Sequence, residues 1–152
     1  MNAMLSFGYR ILANECSSAL CSVGLDPYVG FLHRDRPGRE SLTLDLMEET
    51  RSVLVDRMVI TLINTKMIKK NNFKRLENGV VLLNDAGRKV FLEAWQKHKR
   101  EEIVHPFLGE KIQWGLVPYV QSLLLARHIR GDLDQYPPFL WKCGNHVCAC
   151  DV

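Results

Sequence analysis

A chain of 152 residues that is 47% hydrophobic and 24% charged has the size and balance of one folded domain with a single core, which excludes a disordered polypeptide. Its formal charge of +3 permits a nucleic-acid partner but is too small to demand one. No apolar run approaches the roughly 20 residues that cross a bilayer, and the first residues lack the charged lead, apolar stretch and cleavage site of a signal peptide, so a cytoplasmic location without membrane contact is expected.

From residue 5 to about residue 23, Phe7, Ile11, Leu12, Cys16, Ala19, Leu20 and Val23 recur at helical spacing, and Gly24 supplies a stop. Asp26-Pro27 opens a turn, and residues 25–40 are rich in Gly, Pro and Arg, which predicts a loop that carries His33. Ser41 is a candidate N-cap for a long helix over residues 42–68, a stretch free of Gly and Pro. Asn78-Gly79 between two short apolar-bearing stretches predicts a hairpin over residues 73–83. A helix then runs from Asp85 towards Glu102 and breaks at His105-Pro106; a last one spans about residues 111–130, disturbed at Pro118 and stopped at Gly131. The expected fold is mainly α, a helical bundle around a long central helix with a small β-hairpin insert. Residues 1–142 form the domain, and residues 143–152 a Cys-rich, disordered tail.

Asp45 and Glu48 lie three apart near the start of the long helix, and residues three apart share a helix face. The His33 imidazole and these two carboxylates, beside Arg34, Arg36 and Arg39, have the chemistry of a site for a divalent cation holding a phosphodiester, with the guanidinium groups on phosphate oxygens. The competing reading is that the acids complement the positive end of the helix dipole. Glu49, about 100° further round the helix, suits that reading better. Lys66, Lys69, Lys70, Lys74, Arg75, Lys97, Lys99 and Arg100 flank the hairpin as a second place for phosphates or as helix-end charges. The five cysteines are odd in number and make no secreted disulfide framework. Cys143, Cys148, Cys150 and His146 could close a zinc site, but their spacing fits none of the usual paired patterns, and an incidental extension is the better expectation. There is no Gly-rich phosphate loop and no Ser/His/Asp signature.

Three ordered motifs carry a resemblance. Residues 2–9 (Asn-Ala-Met-Leu-Ser-Phe-Gly-Tyr), then Gly24-Leu25-Asp26-Pro27 with Gly30-Phe31-Leu32-His33, then residues 41–49 (Ser-Leu-Thr-Leu-Asp-Leu-Met-Glu-Glu) resemble the C-terminal helical domain of the CRISPR adaptation integrase, the larger of the two universal CRISPR-associated adaptation proteins. The likeness continues through His105-Pro106-Phe107-Leu108-Gly109-Glu110 and Tyr136-Pro137-Pro138-Phe139-Leu140-Trp141. It implies a metal-dependent DNA integrase and endonuclease, in which a 3′-hydroxyl of a captured DNA attacks a repeat phosphodiester. By the resemblance Mn²⁺ or Mg²⁺ is held by a Glu, a His and a further acid; the last two fall on His33 and Glu48, and Asp45 matches an acid that supports the site. The implied partners are double-stranded DNA, as spacer precursor and CRISPR repeat, and the smaller adaptation protein, with a homodimer in the full-length protein. The family's first Glu lies upstream of the motif at residues 2–9, and its N-terminal β-rich domain has no counterpart here. An incomplete chain is therefore expected, and Glu15 does not match the missing ligand. Thr50 stands where the family commonly has an aromatic, and residues 143–152 run past the usual ending. A non-catalytic helical module for DNA binding or assembly, whose acids only cap a helix, is the rival reading.

Overall fold

A computed structural model describes residues 1–34, 36–77 and 79–141. Helix α1 spans Asn2–Ser22, α2 Ser41–Arg51 and α3 Arg57–Asn64, with one π turn, Ser52–Asp56, joining α2 to α3. A 3₁₀ turn, Lys70–Asn72, leads into strands β1 (Phe73–Arg75) and β2 (Val81–Leu83), followed by α4 (Asp85–Lys99). Strands β3 (Glu102–Val104) and β4 (Lys111–Gln113), a 3₁₀ turn at Trp114–Leu116 and α5 (Val117–Ile129) complete the order. About 57% of the described residues are helical, so the expected mainly α class holds. None of these helices is long and apolar enough to cross a membrane.

Periodicity makes the core. Met4, Leu12, Cys16 and Leu20 put one stripe of α1 against Leu46 of α2, Val55 of the π turn, Phe91 and Trp95 of α4 and Leu125 of α5, all buried. Gly8 lets α1 approach closely: a Cβ there would stand 2.6 Å from Cγ1 of Val55. Burial, with the charges of Glu15 and Glu49, pushes the Cys16 thiol up to about 12, so this cysteine packs as an apolar group.

Helix α1 ends where Gly24 predicts. Gly24 takes φ 81°, its N–H donates to Cys21, and the Leu25 N–H donates to Leu20, the paired bonds of a Schellman stop. The long helix is shorter than expected. It stops at Asn64 because Lys66, at φ 56°, builds the same kind of stop, with Lys66 and Met67 donating to Ile63 and Leu62. A lysine gives no sequence signal for a left-handed turn. The helix is also not a uniform rod, since the π turn inserts at Ser52–Asp56, and the core is shared by α1, α2, the π turn, α3, α4 and α5.

The predicted hairpin is present, with Phe73, Lys74 and Arg75 opposite Leu83, Leu82 and Val81; Asn78 lies outside the described residues. A second hairpin was not foreseen. Glu102, Ile103 and Val104 pair with Gln113, Ile112 and Lys111, so the expected helix over residues 111–130 begins only at Val117. Pro118 falls in its first turn, where a missing N–H costs nothing. The proline starts the helix and does not disturb it. The Cys-rich tail over residues 143–152, with its zinc reading, lies outside the described residues.

Candidate functional site

The loop between α1 and α2 is seated on the first turns of α2. The Pro27 carbonyl accepts from the N–H groups of Leu42 (2.9 Å) and Thr43 (3.3 Å), and Arg39 accepts from Ser41 (2.9 Å). The loop itself thereby takes up amides that a helix start leaves unpaired. Asp45 is not one of the caps. Its carboxylate, buried with 8% of the side chain exposed, turns to the loop and accepts from the backbone N–H of Phe31 (2.6 Å), Leu32 (3.0 Å) and His33 (3.1 Å). Burial alone would raise its pKa; the hydrogen bond from His33 and those three amides outweigh burial and hold it below the usual carboxylate range. This corrects the dipole reading of Asp45, whose partners are loop donors.

Gly30 permits the seat. A Cβ added there would lie 2.6 Å from Ser41 Cβ and 3.0 Å from Asp45 Oδ2, so any side chain drives the loop off the helix. Gly30→Ala is expected to cost about 2–3 kcal/mol, the range for forced overpacking, read as a drop in the urea midpoint; unchanged stability would show that the loop is not held at this contact.

His33 completes the arrangement. Its Nδ1 lies 2.5 Å from Asp45 Oδ1. An ionised carboxylate only accepts, so Nδ1 carries the hydrogen and Nε2 of the neutral ring keeps its lone pair, with 27% of the side chain exposed. A carboxylate behind an imidazole is the arrangement that orients metal-ligating histidines. Glu48, one turn on from Asp45, is exposed and pairs with Arg51 Nε at 3.1 Å. The Arg51 guanidinium stands 6.0 Å over the Tyr9 ring, and the Tyr9 hydroxyl donates to Asp56 at 2.6 Å.

The residues singled out in the sequence therefore divide. His33 and Asp45 are joined directly, whereas the Glu48 carboxylate is engaged by Arg51. Among the described residues no group of three or more His, Cys, Asp or Glu side chains is placed to hold a metal ion. The donor chemistry of His33 fits a ligand, but with the Glu48 carboxylate on Arg51 the set is not a complete site. Glu15 is no substitute: its Oε1 accepts from Trp95 Nε1 (3.1 Å) and Lys99 Nζ (2.6 Å). Arg34 and Arg36 are exposed, Arg39 is half-buried, and none of the three pairs with an acid among the described residues. Beside them Phe31 and Leu32, 69% and 80% exposed, are apolar side chains on a backbone fixed to Asp45.

Sequence reasoning missed a buried polar network. Glu49 accepts from Gln121 Nε2 (2.9 Å), the Tyr136 hydroxyl (2.8 Å) and the Phe139 N–H (2.9 Å), which corrects its reading as a dipole complement. Gln121 Oε1 lies 3.1 Å from His105 Nε2. The Phe107 and Leu108 N–H groups donate to His105 Nδ1, each at 3.3 Å, so the hydrogen of the neutral ring sits on Nε2. Burial lowers the His105 pKa against the opposing bond to Gln121. A histidine whose folded pKa is lowered contributes stability in full above its unfolded value, about 6.5, and loses it as pH falls through the folded value. The urea midpoint is expected to fall between pH 7.5 and pH 5, and His105→Gln to flatten that slope; equal slopes would remove His105 from the transition. A Gln at position 121 between the apolar residues of α5 was the one sequence signal for the network.

With this geometry in hand, comparison with known proteins gives a consistent result. The family model described as CRISPR associated protein Cas1 matches residues 1–97. A curated relative, CRISPR-associated endonuclease Cas1 2 of Rhodospirillum rubrum, is 60% identical over 141 residues, 93% of this chain and 41% of the relative. Among solved structures, a chain of a casposase bound to integration product superposes with a TM-score of 0.81 at 31% identity, covering 88% of this chain and 38% of that one. A chain of a partial Cas6-RT-Cas1–Cas2 complex superposes with a TM-score of 0.72 over 93% of this chain and 41% of that one; at 23% identity it shows the fold alone. The chain spans about two-fifths of the length of relatives such as that of R. rubrum. These matches do not bear out the expected placement in the C-terminal domain of the family. They do establish the family itself: the chain belongs to the Cas1 family of CRISPR-associated proteins.

Proposed function

We propose that this chain is the helical, catalytic portion of a Cas1-type DNA integrase and endonuclease of CRISPR spacer acquisition, acting in the cytoplasm. The observation that carries the reading is the His33–Asp45 pair. A loop backbone fixed by three amide bonds to one carboxylate presents an imidazole whose free nitrogen is an acceptor. His33 Nε2 and Glu48 would contribute to the site of a Mn²⁺ or Mg²⁺ ion, which when bound supplies Lewis-acid stabilisation of a reacting phosphodiester. Asp45 holds the His33 ring in one tautomer and one orientation. Arg34, Arg36 and Arg39 would bind backbone phosphates of double-stranded DNA, the spacer precursor or the repeat, beside that centre. The smaller adaptation protein is the proposed partner, and a homodimer the proposed state of the longer protein.

Two donors leave an ion weakly held, so weak metal binding and little or no strand transfer are expected of the isolated chain. Calorimetric titration with Mn²⁺ tests the assignment on wild type and His33→Ala: a binding isotherm lost in the variant supports it, and identical isotherms remove His33 from the site. The rival reading is a non-catalytic DNA-binding or assembly module. Duplex binding that falls steeply with salt but ignores both Mn²⁺ and Glu48→Gln would select it.

A further inference from the structure

A groove of about 1160 Å³ separates the first half of α1 from the β1–β2 hairpin, on residues for which the proposed chemistry has no use. Its apolar lining includes Phe7, Phe73 and Leu83. One wall is a strand edge. In the β1–β2 ladder the Leu76 N–H donates to Val80 and the Asn84 N–H to Asn72, so hydrogen-bonded pairs recur at every second position and include Lys74 with Leu82. Val81 and Leu83 fall on the alternate positions. Their N–H and C=O groups point away from β1, and no hydrogen bond joins them to another element among the described residues. The Leu83 residue is nonetheless only 4% exposed, a place where backbone groups are seldom left unpaired.

Three cations line the same groove, Arg10, Lys70 and Arg88, and no acid does among the described residues. Of the three, only Arg88 has an ion pair among the described residues, a long one of 3.7 Å to the exposed Asp85. An alternating row of two donors and two acceptors is met in full only by another extended polypeptide. Phosphates would accept from the N–H groups and leave both carbonyls bare. A second copy of this chain would bring the same cations to face one another.

We propose that β2 is a docking edge for an extended acidic segment of a protein partner, which adds a third strand to the hairpin inside this groove. Main-chain bonds to Val81 and Leu83 hold the segment, its alternate apolar side chains rest on Phe7 and Phe73, and its acidic ones reach Arg10 and Lys70.

Amide hydrogen exchange on the full chain tests this with a blocked hexapeptide alternating glutamate and valine, and a lysine and valine counterpart as control. The expected result is slowing of exchange at the Val81 and Leu83 amides by about tenfold or more with the acidic peptide alone. Val81→Pro removes an outward donor without cutting the ladder to β1, and is expected to abolish the protection of Leu83 while leaving the Lys74–Leu82 bonds slow to exchange. Arg10→Glu with Lys70→Glu is expected to transfer the protection to the basic peptide. No protection by either peptide overturns the proposal, as does equal protection by both. Protection that grows with protein concentration alone assigns the edge to a second copy, and protection by duplex DNA assigns the groove to nucleic acid; either result also overturns it.

Discussion

Asp45→Ala is expected to lower stability by about 2–4 kcal/mol, the cost of leaving partly buried donors without a charged acceptor, and to lower the melting temperature of a domain this size by roughly 2–4 °C for each kcal/mol. Four donors lose one partner: the amides of Phe31, Leu32 and His33 and the His33 ring. The loop remains tied to α2 through Pro27 and Arg39, so the domain stays folded while its tip loosens. At the proposed metal site a functional loss is expected beside the loss of stability, because removing a carboxylate behind a ligating imidazole costs about 10–100-fold in metal affinity or activity. Asp45→Asn separates the two effects. Its amide oxygen still accepts from the loop, but its NH₂ meets donors where the wild type offers an acceptor. Solution NMR of the His33 ring gives the direct measurement. Wild type holds the Nδ1–H tautomer, and both variants are expected to show a tautomer mixture and fast ring exchange. An unchanged ring in Asp45→Ala would remove Asp45 from the positioning of His33. The folded pKa of Asp45 is lowered, so its contribution to stability is present in full above the unfolded value, about 3.9, and is lost as pH falls below that through the folded value.

The parts of this arrangement legible in the sequence are those where one residue type dictates local chemistry. Gly24 at a helix end, an Asn-Gly pair between apolar stretches, and a Gly/Pro/Arg-rich segment holding one histidine each have a single economical reading, and the structure places α1, the first hairpin and the His33 loop accordingly. Spacing placed Asp45 and Glu48 on one face of α2 but could not say what each carboxylate meets. That depends on Gly30, whose missing Cβ lets the loop fold back onto Ser41 and Asp45, a tertiary contact with no local signature. The stop at Lys66 was hidden for the opposite reason, since a lysine adopts the left-handed turn only where the surrounding chain imposes it. The second hairpin was invisible because three-residue strands carry too little alternation to read against the helical pattern on either side. Glu49 shows the limit best. Adjacent to Glu48 and identical to it in chemistry, it differs only in which neighbours the fold brings.

That difference sets the second large effect. Glu49→Ala is expected to destabilise the chain by about 2–4 kcal/mol, as the loss of the charged partner from a partly buried hydrogen-bonded network does, whereas Glu48→Ala, which breaks an exposed ion pair with Arg51, is expected to cost about 0–1 kcal/mol. Among the described residues Glu49 carries the hydrogen bonds that join Tyr136 and Phe139 to α2. Burial and the Glu49 charge raise the Tyr136 pKa far above its ordinary range, so the phenol stays protonated and donates throughout the working pH range. Phe139 in turn packs its ring against Trp114 (5.9 Å), His105 (5.5 Å) and Trp141 (6.2 Å). Losing the anchor therefore frees a segment as well as a hydrogen bond. Glu49→Gln keeps an oxygen for Gln121 and Phe139, and its expected loss lies between the two. Urea titrations of the three variants at pH 7.5 measure the order directly. Equal losses for Glu48→Ala and Glu49→Ala would mean that the network contributes no more than a surface pair. A large loss for Glu49→Ala with unaltered Tyr136 fluorescence and solvent exposure would locate the damage elsewhere in α2, since a segment released from Glu49 must expose its phenol to water.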